Sequence, residues 1–236
     1  SILGPLLFIL FVNDIINTSK LTEFIMFADD TNLFFKDKNL DSLFHTINQE
    51  LAKISKWFKL NKLSLNIKKT NYIIFKNKNK KISNSKLFIK IDDMIIDQVN
   101  STKFLGVIIN SSLTWNDHIK IISNKVSKSI GILQRIRCIV SDDILLILYF
   151  TLILPYFNYC NIVWGSVKSI YLEKLFLKQK KALRIITRAK WNAHTSPIFA
   201  KMGLLNLYDI NKLQIYCFMY KSQNKQIGRA SCRERV

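Results

Sequence analysis

An α+β chain is what this sequence predicts: helix and strand mixed up to about residue 112, and helix alone from there to about residue 226. The short runs rich in Phe and Ile, bounded by turn residues, all fall before that point: EFIMFADDTNLFF, LFIKIDDMIIDQV and FLGVIIN. Beyond Trp115 the apolar residues recur at steps of three and four instead.

Taken in order, Gly4-Pro5 followed by LLFILFVNDII reads as a helix start with Pro at the first helical position. Its run is apolar on nearly all sides, so this helix is expected to be buried. Residues 23–35 form a tight hairpin with the sequence FADD at its tip. Leu40, Leu43, Phe44, Ile47, Leu51, Ile54, Trp57 and Phe58 then lay an apolar stripe along one helix, with Lys53, Lys56 and Lys59 off the stripe. LSLNIKKTNYIIF gives a turn and a short strand, and residues 76–86 a basic, polar, mobile loop. A second hairpin turns at Asp92-Asp93, and residues 104–110 read as one more strand. Trp115, Ile119, Ile122, Val126, Ile130 and Leu133 share a helix face, and further helices start at about Asp142, Ser169 and Leu207.

Lys and Arg outnumber Asp and Glu by 36 to 16, a net charge of +20 that favours a polyanionic partner, nucleic acid or an anionic membrane face. The last ten residues, 227–236, break from the preceding Lys/Asn/Ile-rich style and look like a translated sequencing-adapter read. Without them the charge is still +18. Cys138, Cys160, Cys217 and Cys232 lie far apart with no C-x-x-C, and His45, His118 and His194 lack metal-ligand spacing, so zinc is not expected. Residues 144–167 carry no charge over 24 positions, long enough for a bilayer. Pro155, Asn158, Asn161 and Gly165 within them, and basic residues on both sides, favour a buried helix pair broken at Pro155. The opening apolar run has no basic n-region or cleavage site, so neither a secreted nor a transmembrane protein is expected.

The adjacent acids Asp29 and Asp30 have three readings: turn formers, a general acid/base pair, or ligands for a hard divalent cation. Two further pairs serve as internal controls. Asp92-Asp93 fits a simple hairpin turn, and Asp142-Asp143 fits a helix N-terminus favoured by the dipole. The FADD pair stands apart because hydrophobic residues flank it on both sides, where unneutralised charge is costly.

The segments SILGPLLFILFVNDI, FADDTNLFF, LNIKKTNYIIF and KFLGVIINSSLTWNDHI, in that order and at those intervals, resemble the reverse transcriptases of non-LTR (LINE-like) retrotransposons of the jockey type. LILPYFNYCNIVWG, KALRIIT and AHTSPIFAKMGLLNL extend the resemblance through the helical part, to about residue 222. It implies the C-terminal half of a right-hand polymerase palm over residues 1–112, followed by an all-helical thumb-like region over residues 113–226. Asp29 would be the main metal ligand and Asp30 its support or second ligand, with Mg²⁺ as the ion and Mn²⁺ as a substitute. Ala28 would leave room for the primer end, with Phe27 packed beneath. Ser1, Gly4 and Pro5 would open the helix beside the nascent base pair. Asn66 and Lys69 belong to the Asn-x-x-Lys-Thr segment, in which the lysine lies near the incoming phosphates as a proton donor to pyrophosphate. Phe104, Leu105 and Gly106 would grip the primer, Gly106 allowing close backbone approach. The resemblance also implies a third metal-binding aspartate on a strand upstream of Ser1.

The expected function is therefore RNA-templated DNA synthesis by a mobile-element enzyme, with RNA template, DNA primer and dNTPs as partners. The expected compartment is intracellular, nucleus or cytoplasm, and oligomeric state is open. The alternative is a catalytically dead, nucleic-acid-binding remnant, which would share the basic surface. On this reading residues 1–226 alone lack the third aspartate and are expected to be inactive.

Overall fold

Gly4-Pro5 opens a helix as expected: α1 runs Leu3–Val12 in the computed structural model, which describes residues 3–76, 87–167 and 169–226. Ser1, most of the basic loop at 76–86, Cys232 and the adapter-like segment 227–236 lie outside the described residues. The described chain divides into two compact units between Asn100 and Ser101.

In the first unit, α1 passes into a single 3₁₀ stretch, Asn13–Thr18. The expected burial of α1 does not hold: Val12 is its one buried residue, and Leu3 and Leu10 are 63% and 72% exposed. The cause is that the unit's apolar cluster forms without it, from α2 (Leu40–Leu60) and the segments that pack on α2. The strands β1 (Glu23–Phe27) and β2 (Asp30–Phe34) pair antiparallel, with Phe27 opposite Asp30. Asn39 caps α2, its side chain accepting from Asp41 N, and Phe44, Ile47, Leu51 and Ile54 on the α2 stripe are buried. Against that stripe sit Ile89, Ile91 and Ile96 of the second hairpin, β4 (Lys90–Ile91) with β5 (Met94–Ile95). A two-residue parallel pairing joins β3 (Asn71–Tyr72) to β6 (Asp97–Gln98), which brings the Asn66 segment beside the end of that hairpin.

The second unit begins with a hairpin where one strand was expected over residues 104–110. The strands β7 (Ser101–Phe104) and β8 (Val107–Asn110) pair antiparallel around Leu105 and Gly106, whose φ values of 43° and 85° make the two-residue turn. A left-handed Leu gives no composition signal, so the run read as continuous. Then α3 (Asn116–Ile136), α4 (Asp142–Leu152), α5 (Leu154–Asn158), α6 (Asn161–Trp164), α7 (Ser169–Ile186), α8 (Ser196–Lys201) and α9 (Leu207–Gln223) follow. The apolar stretch 144–167 is thus three helices instead of a pair. Ile153 precedes Pro155 in the first turn of α5, and Cys160, at φ 50°, makes the second break. Among the described residues no helix is long and apolar enough to cross a membrane.

These helices enclose one core that includes Val126, Leu133, Leu145, Tyr149, Phe157, Trp164, Leu175 and Leu183. The two fully buried amides inside it, Gln179 and Asn161, are matched. Gln179 is fully buried; its amide nitrogen donates to the Tyr149 hydroxyl (2.9 Å) and Leu205 O (3.1 Å), and its oxygen accepts from Leu207 N (2.9 Å). Burial pushes the Tyr149 phenol up to about 12, so it stays neutral within the core. Asn161 donates to Phe157 O and accepts from the Asn211 amide at 2.6 Å, supplying the interior partners that an Asn needs when it leaves water.

His118 is the one buried histidine of the three. Its Nδ1 accepts from Ile108 N (3.2 Å), which puts the ring proton on Nε2, a buried atom without a partner. Its ring packs edge-on against Trp164. Burial first, and the Lys125 charge second, hold its pKa below the ordinary value. The unfolded chain then takes up this proton more readily than the folded one, so the stability owed to neutral His118 is complete above about pH 6.5 and declines as pH falls through it. Denaturant titrations should give a lower unfolding midpoint at pH 5.5 than at pH 7.5. His118→Gln should flatten that dependence, and an unchanged slope in the variant would assign the effect to other groups.

Candidate metal centre

Two residues, Ala28 and Asp29, close the β1–β2 hairpin, with Asp30 as the first residue of β2. Ala28 has φ 52°, the positive value at the first central position that hairpin turns of the primed class use. The small side chain makes that conformation cheaper than a bulky or β-branched residue would. Five consecutive cross-strand pairs, Glu23 with Phe34 through Phe27 with Asp30, hold the two strands in register behind the tip.

Both carboxylates are exposed, and among the described residues neither has a hydrogen-bond or ion-pair partner. Phe27 does not pack beneath them: it is 62% exposed. Alternation explains this, because Glu23, Ile25 and Phe27 share the outer face of β1 while Phe24 and Met26 face inward. The hydrophobic flanks seen in the sequence are therefore not an apolar pocket around the acids.

In each of the other two acidic pairs one acid is engaged. The Asp92 carboxylate accepts from Ser55 Oγ at 2.8 Å and pairs with Lys59 Nζ at 2.8 Å, both on α2. Lys59 first and Ser55 next hold the Asp92 carboxyl below the usual carboxylate range. Asp92 and Asp93, at φ 46° and 66°, are the two loop residues of the β4–β5 hairpin, as expected for a turn pair. Asp142 and Asp143 begin α4, and Asp142 also accepts from Arg188 Nε at 3.0 Å. Ser55 and Lys59 were not legible as partners of an acid, since 37 residues separate Ser55 from Asp92 and only the fold joins them.

Asn66 and Lys69 frame the 3₁₀ turn Ile67–Lys69. The Asn66 main-chain carbonyl accepts from Lys69 N (3.0 Å), Thr70 N (3.2 Å) and Thr70 Oγ1 (3.0 Å), so the Thr70 hydroxyl helps to close this turn. The Lys69 side chain is left exposed. Asn66 lines a cleft of about 450 Å³ with Ser64, Leu65, Ile67, Lys68 and Met94. Gly4 and Pro5 are exposed on α1.

Phe104, Leu105 and Gly106 belong to the second unit, where Tyr159 covers their turn. The Tyr159 hydroxyl donates to Leu105 O, and its ring carbon Cε1 lies 3.2 Å from where a Cβ on Gly106 would stand. Close approach at Gly106 is real, and within this chain the approaching group is Tyr159. Nothing marked this tyrosine in advance beyond its being aromatic.

Among the described residues no cluster of three or more His, Cys, Asp or Glu could hold a metal ion. Asp29 and Asp30 fit a metal as part of a site: two hard oxygen donors on a fixed turn, with the remaining positions left to other ligands.

Residues 1–109 match the reverse transcriptase (RNA-dependent DNA polymerase) family. The chain is 24% identical, over 90% of its length, to a probable RNA-directed DNA polymerase from transposon X-element of Drosophila melanogaster. It is similarly 24% identical over 91% of its length to the RNA-directed DNA polymerase from mobile element jockey of that species, and 26% identical over 84% to the jockey polymerase of Drosophila funebris. The chain spans about a quarter of the length of these curated relatives. No solved structure matches it.

The contrast between the acidic pairs can be measured. At about 10 mM salt, Asp92→Asn should lower the thermal midpoint relative to the parent chain, and Asp93→Asn and Asp29→Asn should not. At about 1 M salt, where the Debye length drops from about 30 Å to about 3 Å, the Asp92→Asn deficit should shrink. A deficit of equal size for Asp29→Asn would mean that the FADD acids are structural after all.

Proposed function

We propose that this chain, whose residues 1–109 belong to the reverse transcriptase family, supplies part of the palm and a following thumb-like helical region of a mobile-element polymerase that copies RNA into DNA. One observation carries the assignment of the site: of three adjacent aspartate pairs, FADD alone has both carboxylates exposed and unpartnered among the described residues, on a hairpin that fixes their position. In each of the other two pairs one acid, Asp92 or Asp142, is committed to a partner within the protein. Acids kept free at a rigid tip are available to a ligand from outside.

The ligand of best fit is Mg²⁺, with Mn²⁺ able to replace it, because the donors are hard carboxylate oxygens with no sulfur or imidazole among them. In nucleotidyl transfer such ions, when bound, activate the primer 3′-hydroxyl and stabilise the departing pyrophosphate. Asp29 and Asp30 would hold their oxygens at the turn, and the five-pair ladder behind them would keep those oxygens from moving as charge develops. The Lys69 ammonium, exposed beside the Asn66 turn, would hold a proton for the leaving phosphate. RNA template, DNA primer and dNTPs are the partners on this reading. The charge of +20 supports binding them through phosphate.

Two carboxylates give weak affinity for an ion that sheds water reluctantly, so the site needs at least one more acidic ligand from the parent polymerase. Primer extension tests this. Residues 1–226 should bind primer–template without extending it, and a longer polymerase that includes the upstream palm should extend it. Asp29→Asn in the longer form should reduce synthesis by about 10²–10³-fold, the scale on which one preorganised charge-stabilising group acts. Robust synthesis by the Asp29→Asn long form would remove FADD from the site. An inactive long form with intact binding would instead identify a nucleic-acid-binding remnant.

A further inference from the structure

The second unit carries a groove of about 450 Å³ lined by Arg137, Lys181, Arg184 and Trp191, with Gln134 and Leu177 between them. It lies wholly beyond the residues that match the polymerase family. No carboxylate lines it, and among the described residues none of its three cations is in an ion pair. Trp191 is 86% exposed, far more than the other three tryptophans: Trp164 is fully buried, and Trp57 and Trp115 are half-buried.

The turn that carries Trp191 is held by the groove's own cation. The chain leaves α7 through Arg188 at φ 54°, and the turn from Lys190 closes with Ala193 N donating to Lys190 O (3.0 Å). Arg184 Nε donates to Ala193 O (2.9 Å), pinning that turn against α7. One guanidinium edge is thereby used and the terminal nitrogens are left for another acceptor. The same interaction that fixes the turn carrying Trp191 therefore also positions the arginine.

A rival account is that Arg137 and Arg184 merely offset the negative ends of α3 and α7, where they stand. That explains two cations but leaves unexplained an indole kept in water beside them and a lysine on the same groove. Exposed aromatic rings flanked by unpaired cations are how proteins take single strands: a base stacks on the ring and the adjoining phosphates meet the charges. A duplex keeps its bases stacked on each other and offers the ring nothing.

We propose that the Trp191 groove binds single-stranded nucleic acid, one unpaired base stacking on the indole and the flanking phosphates meeting Arg137, Lys181 and Arg184. This rests on the groove alone and stands whether or not the parent protein polymerises.

Binding of the intact chain to a labelled twelve-residue oligothymidylate, and to a twelve-base-pair duplex, decides the matter without any synthesis. Trp191→Ala should weaken the oligothymidylate about tenfold or more and leave the duplex unchanged, while Trp191→Phe keeps most of the affinity. Arg137→Gln with Lys181→Gln should lower the slope of log affinity against log salt by about 1.4, the single-strand value for two phosphates. The oligothymidylate should also quench tryptophan fluorescence in the parent chain and not in Trp191→Phe, a comparison that remains decisive if the alanine variant fails to fold. Unchanged oligothymidylate affinity in Trp191→Ala, an equal loss on duplex, or equal quenching in Trp191→Phe would each overturn the proposal.

Discussion

The apolar stripe of α2 is what the first unit is built on. Strand pairs of two to five residues cannot bury enough surface to be stable alone, and every pairing in this unit is two-stranded. The helix gives them a face to pack on, and it also grips one of them by its polar atoms. Asn48 donates to Phe88 O (3.0 Å) and accepts from Lys90 N (2.9 Å), satisfying the edge of β4 from the side of the helix. Two turns further on, Ser55 and Lys59 take the Asp92 carboxylate at the tip of the same hairpin. Asp92 is therefore committed to the fold. The β1–β2 hairpin is treated differently: Leu33 of β2, and Phe35 just beyond it, reach the cluster around α2, and no partner among the described residues takes the tip. One helix thus accounts both for why one acidic turn is structural and for why the other is left over.

In the second unit the organising group is a buried amide. Gln179 sits inside α7 with three hydrogen bonds, to α4 through Tyr149 and to the start of α9 through Leu205 and Leu207. A buried amide with both donors and its oxygen engaged fixes one packing, because sliding a helix by a residue would strand its donors in an apolar core. The same economy operates at Gly165. A Cβ there would stand 2.2 Å from the Asn211 amide nitrogen and 2.5 Å from Asn161 O, so the glycine is what allows α9 to reach the Asn161 turn. These contacts explain how a stretch of 24 uncharged residues becomes the centre of a helical unit. Asn161 meets the Asn211 amide on α9 and Phe157 O on its own preceding turn, and the Asn158 carbonyl accepts from the Gln214 amide of α9.

What the sequence made legible was what repeats. The α2 and α3 stripes could be read residue by residue, because an amphipathic period is written in the side chains themselves. The starts of α4, α7 and α9 fell where they were expected. What stayed hidden was set by contacts distant in sequence or by backbone angles without a marker residue. Leu105 at φ 43° gave no sign that a strand was a hairpin, and Pro155 marked one helix break while Cys160 made another. The exposed sides of α1 were misread for a simpler reason: an apolar run states that cover is needed and not which residues provide it. For the candidate site, the order of motifs pointed to Asp29 and Asp30, but their exposure, the outward Phe27 and the contact of Tyr159 at Gly106 are set by the fold.

Exposure of the FADD acids and the strict geometry of their turn belong together. A carboxylate buried at an incomplete site would have to shed water with nothing in return, and would protonate or unfold the hairpin. Left in water at a fixed turn, the two charges cost the fold little, and their mutual repulsion is screened until other ligands close around them. The β1–β2 ladder needs only to keep the oxygens in position, which five cross-strand pairs do without help from the tip. On the proposed metal-binding role, the hairpin would fold before the rest of the site exists, and the energy of bringing two anions together would be deferred until a cation offsets it.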